Sequence, residues 1–147
     1  MKVLLTTDGS PCSRHALEEA VRLLPLQEAE VALVAVAQLP PVGTDPMTFG
    51  APLPVDDRAL KTYKEQAQTA LQEGLAILTA SGVKAEPMET LGDPATEILS
   101  VAEQMGADMI VVGSHGRNAV ERLFLGSVSD AIVHRFHGAV MVIRPQA

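Results

Sequence analysis

The chain has no tryptophan, one tyrosine and three phenylalanines among its 147 residues. So few rings argue against a base-stacking surface for single-stranded nucleic acid. They also leave the core to aliphatic side chains. Cysteine is almost absent: Cys12 alone excludes an internal disulfide and a thiolate metal cage. Positive charge is scarce, with 11 Lys and Arg against 18 Asp and Glu and a formal net charge of −7. That balance speaks against general binding to DNA, RNA or an anionic membrane. No apolar run approaches the ~20 residues of a transmembrane helix. Val3-Leu4-Leu5 after Lys2 is cut off by Asp8-Gly9-Ser10, too early for a signal peptide. The expectation is a cytoplasmic protein. What is present is globular: 47% apolar and 20% charged residues, and a length that suits a single domain over residues 1–147.

Apolar runs and helical periodicities alternate along the chain. Val3 to Thr7, Val31 to Ala37, Asp108 to Gly113 and Ala139 to Ile143 lack polar alternation, as strands buried on both faces do. Val83 to Leu91 is a weaker strand, and Pro87 assigns it to a sheet edge. Ser10-Pro11 opens a first helix with Leu17, Ala20, Val21 and Leu24 on one face, closed by Pro25. His15, beside Arg14, reads as exposed. Asp56 or Asp57 opens a second, whose face runs Leu60, Tyr63, Ala67, Leu71, Leu75 and Leu78 up to Ser81-Gly82. Asp93-Pro94 opens a third with Ala95, Ile98, Leu99, Ala102 and Met105 inward, ended by Gly106. Gly126-Ser127 opens a fourth, to about Phe136. Leu39 to Pro54 holds five prolines and two glycines and reads as a long loop. Ser114 to Leu125 reads as a loop or short irregular helix.

The order βαβαβαβαβ implies an α/β fold: a three-layer, doubly wound parallel sheet of five strands with helices on both faces. Such sheets bind ligands at the carboxyl ends of their strands, where the strand order reverses. If the first and fourth strands are neighbours, Thr7-Asp8-Gly9, Val36-Ala37 and Gly113-Ser114-His115-Gly116 meet there.

The strongest local signal is Val112-Gly113-Ser114-His115-Gly116-Arg117, followed by Leu125-Gly126-Ser127-Val128-Ser129. In shorthand it is G-x2-G-x9-G-S. Glycines let backbone N–H groups approach an anion closely. Gly126 leads into a helix whose free N–H groups and dipole favour phosphate. Ser127 and Ser129 add hydroxyls beside those amides. The bland alternative is a plain strand-to-helix turn with Ser127 as a cap.

With Val3-Leu4-Leu5-Thr6-Thr7-Asp8-Gly9-Ser10, Ser13, Ala16, Ala32-Leu33-Val34-Ala35-Val36 and Gly92-Asp93-Pro94, this motif resembles the universal stress protein family along essentially the whole chain. The resemblance implies a Rossmann-like fold of the adenine nucleotide alpha hydrolase-like kind. It also implies the branch that carries G-x2-G-x9-G-S and typically binds ATP, and a homodimer through the last strand, Val140, Met141, Val142 and Ile143. Carried over, Thr7, Asp8 and Gly9 line the nucleoside end, and Val36 meets adenine through its backbone. Val112 and Gly113 lie under the ribose and α-phosphate. Gly116, Arg117, Gly126, Ser127, Val128 and Ser129 hold the phosphates, with Ser114 and His115 in the same loop. The family often has His where this chain has Ala35.

Physics limits some roles. Asp8 repels a triphosphate, so it suits a ribose hydroxyl, a base or a divalent cation, Mg²⁺ or Mn²⁺, held mainly through the phosphates. The alternative is that Asp8 merely caps its turn. Arg117 is a better phosphate partner than Arg122, or a solvated surface residue. His115 contacts phosphate or faces outward. His134 and His137 read as surface residues at a helix C-terminus rather than as a metal site. Cys12 stands in a first helical turn without an evident base partner.

Fast phosphoryl transfer needs a positioned nucleophile, a metal and charge neutralisation at the γ-phosphate. The motif has no Walker lysine and no evident general base, and no catalytic residue is assigned. The first reading is a nucleotide-dependent regulator in the stress response with slow or no ATP hydrolysis. Two others stay open: an ATP-dependent hydrolase or nucleotidyl-transfer enzyme of related fold, and an interaction module that does not use ATP.

Overall fold

The computed structural model describes residues 1–38, 56–116 and 124–145. Strands and helices alternate among them as β1 Lys2–Thr6, α1 Pro11–Leu23, β2 Glu30–Gln38, α2 Asp57–Ala80, β3 Ala85–Gly92, α3 Pro94–Met105, β4 Met109–Gly113, α4 Ser127–Arg135 and β5 Ala139–Ile143. The strands form one sheet in the order β3-β2-β1-β4-β5, every pair parallel. The order reverses between β1 and β4, so the carboxyl end of that pair is the crevice where such a sheet seats ligands.

Strand parity builds the three layers. Val3 and Leu5 point to the face covered by α1 and α2, against Leu17, Ala20, Ala67, Leu71 and Leu78. Leu4 points the other way, to α3 and α4, against Ile98, Val101, Ala102 and Ile132. Among the described residues every buried hydrophobic is Ala, Val, Leu or Ile, the aliphatic core that the scarcity of rings requires.

Pro87 sits opposite Leu33 on the edge strand β3, as its missing N–H demands. The other edge is β5, whose Val140 to Ile143 are half-buried. The expected helix starts hold: the Ser10, Asp56 and Asp93 side chains accept from the amides of Ser13, Arg58 and Thr96. Besides one-residue shifts at the ends of β1, β2 and β4, some details differ from the sequence reading. α1 stops at Leu23, and beyond Pro25 a 3₁₀ turn, Leu26–Glu28, buries Leu26 under the sheet. β3 starts at Ala85 and runs to Gly92. His15 is half-buried rather than exposed. The segment Leu39 to Pro54 lies outside the described residues, as do Arg117 and Arg122.

Candidate functional site

The first wall of the crevice is the β1–α1 turn. The Thr7 amide gives a last bond to the Val34 carbonyl, and Gly9 then turns the chain at φ +77. Ser13 holds this turn from inside the fold. Its hydroxyl donates to the Ser10 carbonyl at 3.0 Å, accepts from the Asp8 amide at 3.4 Å and lies 3.3 Å from the Thr7 hydroxyl. The Thr7 hydroxyl in turn accepts from the Gly9 amide at 3.2 Å. Asp8 Oδ1 accepts from the Ser10 amide at 2.9 Å, so one carboxylate oxygen does the turn-holding that the bland reading assigned to it. The other oxygen faces Gly116: a Cβ there would stand 3.1 Å from Asp8 Oδ2.

The second wall is the end of β4. A Cβ on Gly113 would stand 3.1 Å from Cys12 Sγ, so this glycine lets α1 close on β4. Ser114 is fully buried and acts as a clamp. Its amide donates to the Ile143 carbonyl of β5 at 2.8 Å. Its carbonyl accepts from the Gly126 amide at 2.7 Å and from the Ser129 hydroxyl at 3.0 Å. Its hydroxyl lies 2.7 Å from His115 Nδ1. The start of α4 is thereby fastened to the end of β4. Gly126 is tight here as well, since a Cβ on it would stand 3.1 Å from the Ser114 carbonyl oxygen.

The cap of α4 is Gly126, not Ser127, and among the described residues no side chain caps its first amides. A helix start leaves its first N–H groups without intrahelical acceptors and carries partial positive charge. Here they belong to Ser127, Val128 and Ser129, ahead of the first intrahelical bond, from the Asp130 amide to the Gly126 carbonyl. Ser127 is exposed and Val128 half-buried. The Ser129 hydroxyl was expected beside them as a further donor. It donates instead to the Ser114 and Gly126 carbonyls, both at 3.0 Å, which fixes the cap from behind.

The third element is β2, which outlasts β1. Their ladder ends at Thr6 opposite Val34. In a parallel pair each residue turns its N–H and C=O to the same neighbour, and successive residues alternate. Val34 turns to β1, as the Thr7 bond shows. Val36 has the same parity, so its N–H and C=O face the place from which β1 has departed. Its side chain packs on the α3/α4 face with Met88 and Val128.

The rim thus gathers Thr7, Asp8, Gly9, Val36, Val112, Gly113, Ser114, His115, Gly116, Gly126, Ser127, Val128 and Ser129. Val112, Ser114 and Ser129 serve it from beneath the surface. Arg117 cannot be placed, lying outside the described residues. Ser13 was quoted in the sequence only as part of a pattern; its role as the hub of the turn is a tertiary fact. Asp93, at the same end of the sheet, has its carboxyl held below the usual range. The Thr96 amide is the first cause and the Thr96 hydroxyl the second. The His134 ring nitrogen Nδ1 lies 2.8 Å from the Asp130 carbonyl, a contact within α4. No group of three metal-ligating side chains occurs among the described residues, and no helix there is long and apolar enough to cross a membrane.

Known proteins share this frame. The profile of the universal stress protein family matches residues 1–144. The universal stress protein YxiE of Bacillus subtilis is 32% identical over 145 residues, covering 97% of this chain and 98% of its own. Among solved structures, hypothetical protein MJ0577 superposes with a TM-score of 0.80 at 25% identity, covering 99% of this chain and 96% of its own. A universal stress protein family protein from Arabidopsis thaliana, solved with AMP bound, superposes at 0.70 with 18% identity, covering 100% and 93%. With the profile running from the first residue to the last strand, the chain belongs to the universal stress protein family.

Proposed function

We propose that the chain binds ATP at the carboxyl rim and acts as a nucleotide-dependent regulator with slow or no hydrolysis. The observation that carries this reading is the start of α4: three amides that no side chain among the described residues caps, held in place by the Ser114 clamp, beside glycines where a Cβ would be crowded. That is a site for a polyanion tail. The Val36 N–H and C=O form a donor–acceptor pair suited to the ring edge of adenine. The Arabidopsis relative with AMP bound supports the choice of an adenine nucleotide. Asp8, its charge opposed to phosphate, serves the ribose or a Mg²⁺ or Mn²⁺ ion carried by the phosphates. The reading places the chain in the cytoplasm, where ATP is abundant.

Thermal melting with ATP and Mg²⁺ tests it. At ATP a hundredfold above Kd the fold gains about 2.7 kcal/mol by mass action, a rise of roughly 5–10 °C in Tm. Gly116→Val with Gly126→Val removes that rise. No rise at millimolar ATP, or an equal rise in the double variant, contradicts the proposal.

The homodimer through β5 belongs to the same reading. The Ala139 amide and the Ile143 carbonyl bond inward, to Asp108 and Ser114. Val140 and Val142, of opposite parity, therefore turn their N–H and C=O outward on an uncharged edge that invites a second copy. Val142→Pro deletes an outward donor and leaves the inner ladder whole. Sedimentation shows a dimer that this change dissociates; a monomeric unaltered chain at micromolar concentration refutes the pairing.

A further inference from the structure

Ser13 lies outside the glycine motif and is buried behind the β1–α1 turn. Whatever it does for the rim it does through other residues. A serine hydroxyl has one proton to give and two lone pairs to fill. The Ser13 proton goes to the Ser10 carbonyl, 3.0 Å away. The Thr7 hydroxyl, 3.3 Å away, is then the donor in its contact with Ser13, and it accepts in turn from the Gly9 amide at 3.2 Å. The second lone pair of Ser13 takes the Asp8 amide at 3.4 Å. The protons therefore run one way, from Gly9 through Thr7 and Ser13 to Ser10.

Two contacts of the turn survive without the Ser13 hydroxyl. The Ser10 carbonyl also accepts from the Arg14 amide at 3.0 Å, and the Ser10 hydroxyl oxygen accepts from the Ser13 amide at 3.1 Å. The Asp8 amide and the Thr7 hydroxyl, by contrast, lose the acceptor that Ser13 gives them. Asp8 is thus held at two points: its amide by Ser13, and its carboxylate by the Ser10 amide on Oδ1 at 2.9 Å. Its Oδ2 stands on the other side, toward Gly116. A binding group works best when a second layer of hydrogen bonds fixes its direction.

We infer that Ser13 is a positioning residue for nucleotide binding that acts through Asp8. Its hydroxyl fixes the Asp8 main chain, so that the Asp8 carboxylate is presented on the Gly116 side of the crevice. The inference rests on the nucleotide reading above and adds to it a residue that touches no ligand. No bond is made or broken; the effect is on binding alone.

A double-mutant cycle tests it: calorimetric affinity for ATP with Mg²⁺ in the unaltered chain, Ser13→Ala, Asp8→Asn and the two combined. Asp8→Asn keeps an oxygen for the Ser10 amide but removes the charge, and weakens ATP about tenfold or more. Ser13→Ala weakens ATP about 3- to 10-fold. In the Asp8→Asn background the same change costs less than about twofold, because the charge it positions is gone. A general loosening of the turn would cost the same in both backgrounds. Ser13→Cys, close in shape but a weaker acceptor, falls between Ser13→Ala and the unaltered chain, and replaces Ser13→Ala in the cycle if that variant does not fold. The inference is overturned if Ser13→Ala binds ATP as tightly as the unaltered chain, or if its losses in the two backgrounds are equal. It also falls, with the α4 reading left standing, if Asp8→Asn binds ATP undiminished. If the unaltered chain binds no ATP, the site reading itself falls and takes this inference with it.

Discussion

Four helices start at the same rim of the sheet, and their starts differ. At α1, α2 and α3 the side chains of Ser10, Asp56 and Asp93 accept from the first amides. At α4 the cap is Gly126, and among the described residues no side chain accepts. The fourth start is nonetheless tied to the end of β4, through the paired bonds to the Ser114 carbonyl. Rigid placement combined with unanswered donors is the signature of a site prepared for an anion, whereas a capped start has answered its own donors. Among the described residues the same rim therefore holds three closed helix ends and one open one.

Closing the open end gives the largest effect. Gly126→Asp supplies a carboxylate to α4's own amides and puts negative charge where phosphate would sit. The Ser114 carbonyl oxygen, 3.1 Å from the new Cβ, must give by a few tenths of an ångström. That cost offsets the gain from the cap. Tm therefore stays within about 3 °C. ATP affinity, measured by calorimetry, falls by about a hundredfold or more as charge-assisted bonds are lost.

Opening a closed end gives the converse. Asp93→Ala removes the α3 cap and costs about 1 kcal/mol of stability, roughly 3 °C in Tm. ATP affinity stays within about twofold, because a lost cap is a matter of stability. If Asp93→Ala weakens ATP as deeply as Gly126→Asp does, the distinction between the two starts is wrong.

The smallest effect is in pH. The Asp93 carboxyl is held below its ordinary range by the Thr96 amide first and the Thr96 hydroxyl second. A folded-state value below the unfolded one means that the unfolded chain takes the proton first. Its contribution is therefore complete above the ordinary carboxylate range and fades as pH falls through the depressed folded value. Asp93→Asn keeps a capping oxygen and cannot titrate. Melting curves from about pH 5 to pH 3 should show a slightly shallower acid loss in Asp93→Asn than in the unaltered chain.

Much of this was legible in the chain. Uninterrupted runs such as Val31 to Ala37 announced doubly covered strands. Pro87 assigned its strand to an edge, and the Ser10-Pro11 and Asp93-Pro94 pairs marked helix starts, because each rests on local backbone chemistry. The glycine spacing marked a close approach for the same reason: a Cβ at Gly116 or Gly126 would stand a tight 3.1 Å from Asp8 Oδ2 or from the Ser114 carbonyl oxygen. What was not legible depends on partners distant in sequence. Ser129 reads as a further hydroxyl donor beside the amides because a hydroxyl in a loop motif carries no sign of which way it turns. Packing of α4 on the end of β4 decides that it bonds inward. Gly74, in the middle of α2, is likewise a matter of distant packing: a Cβ there would fall 2.8 Å from a Leu33 methyl.

The open start of α4 can be observed directly. In a ¹⁵N-labelled sample titrated with ATP and Mg²⁺, the amide resonances of Ser127 and Val128 should shift saturably, while those at the closed start of α3, Ala95 and Thr96, stay in place. Saturable binding that leaves Ser127 and Val128 unmoved, or that moves the capped starts instead, would contradict the account.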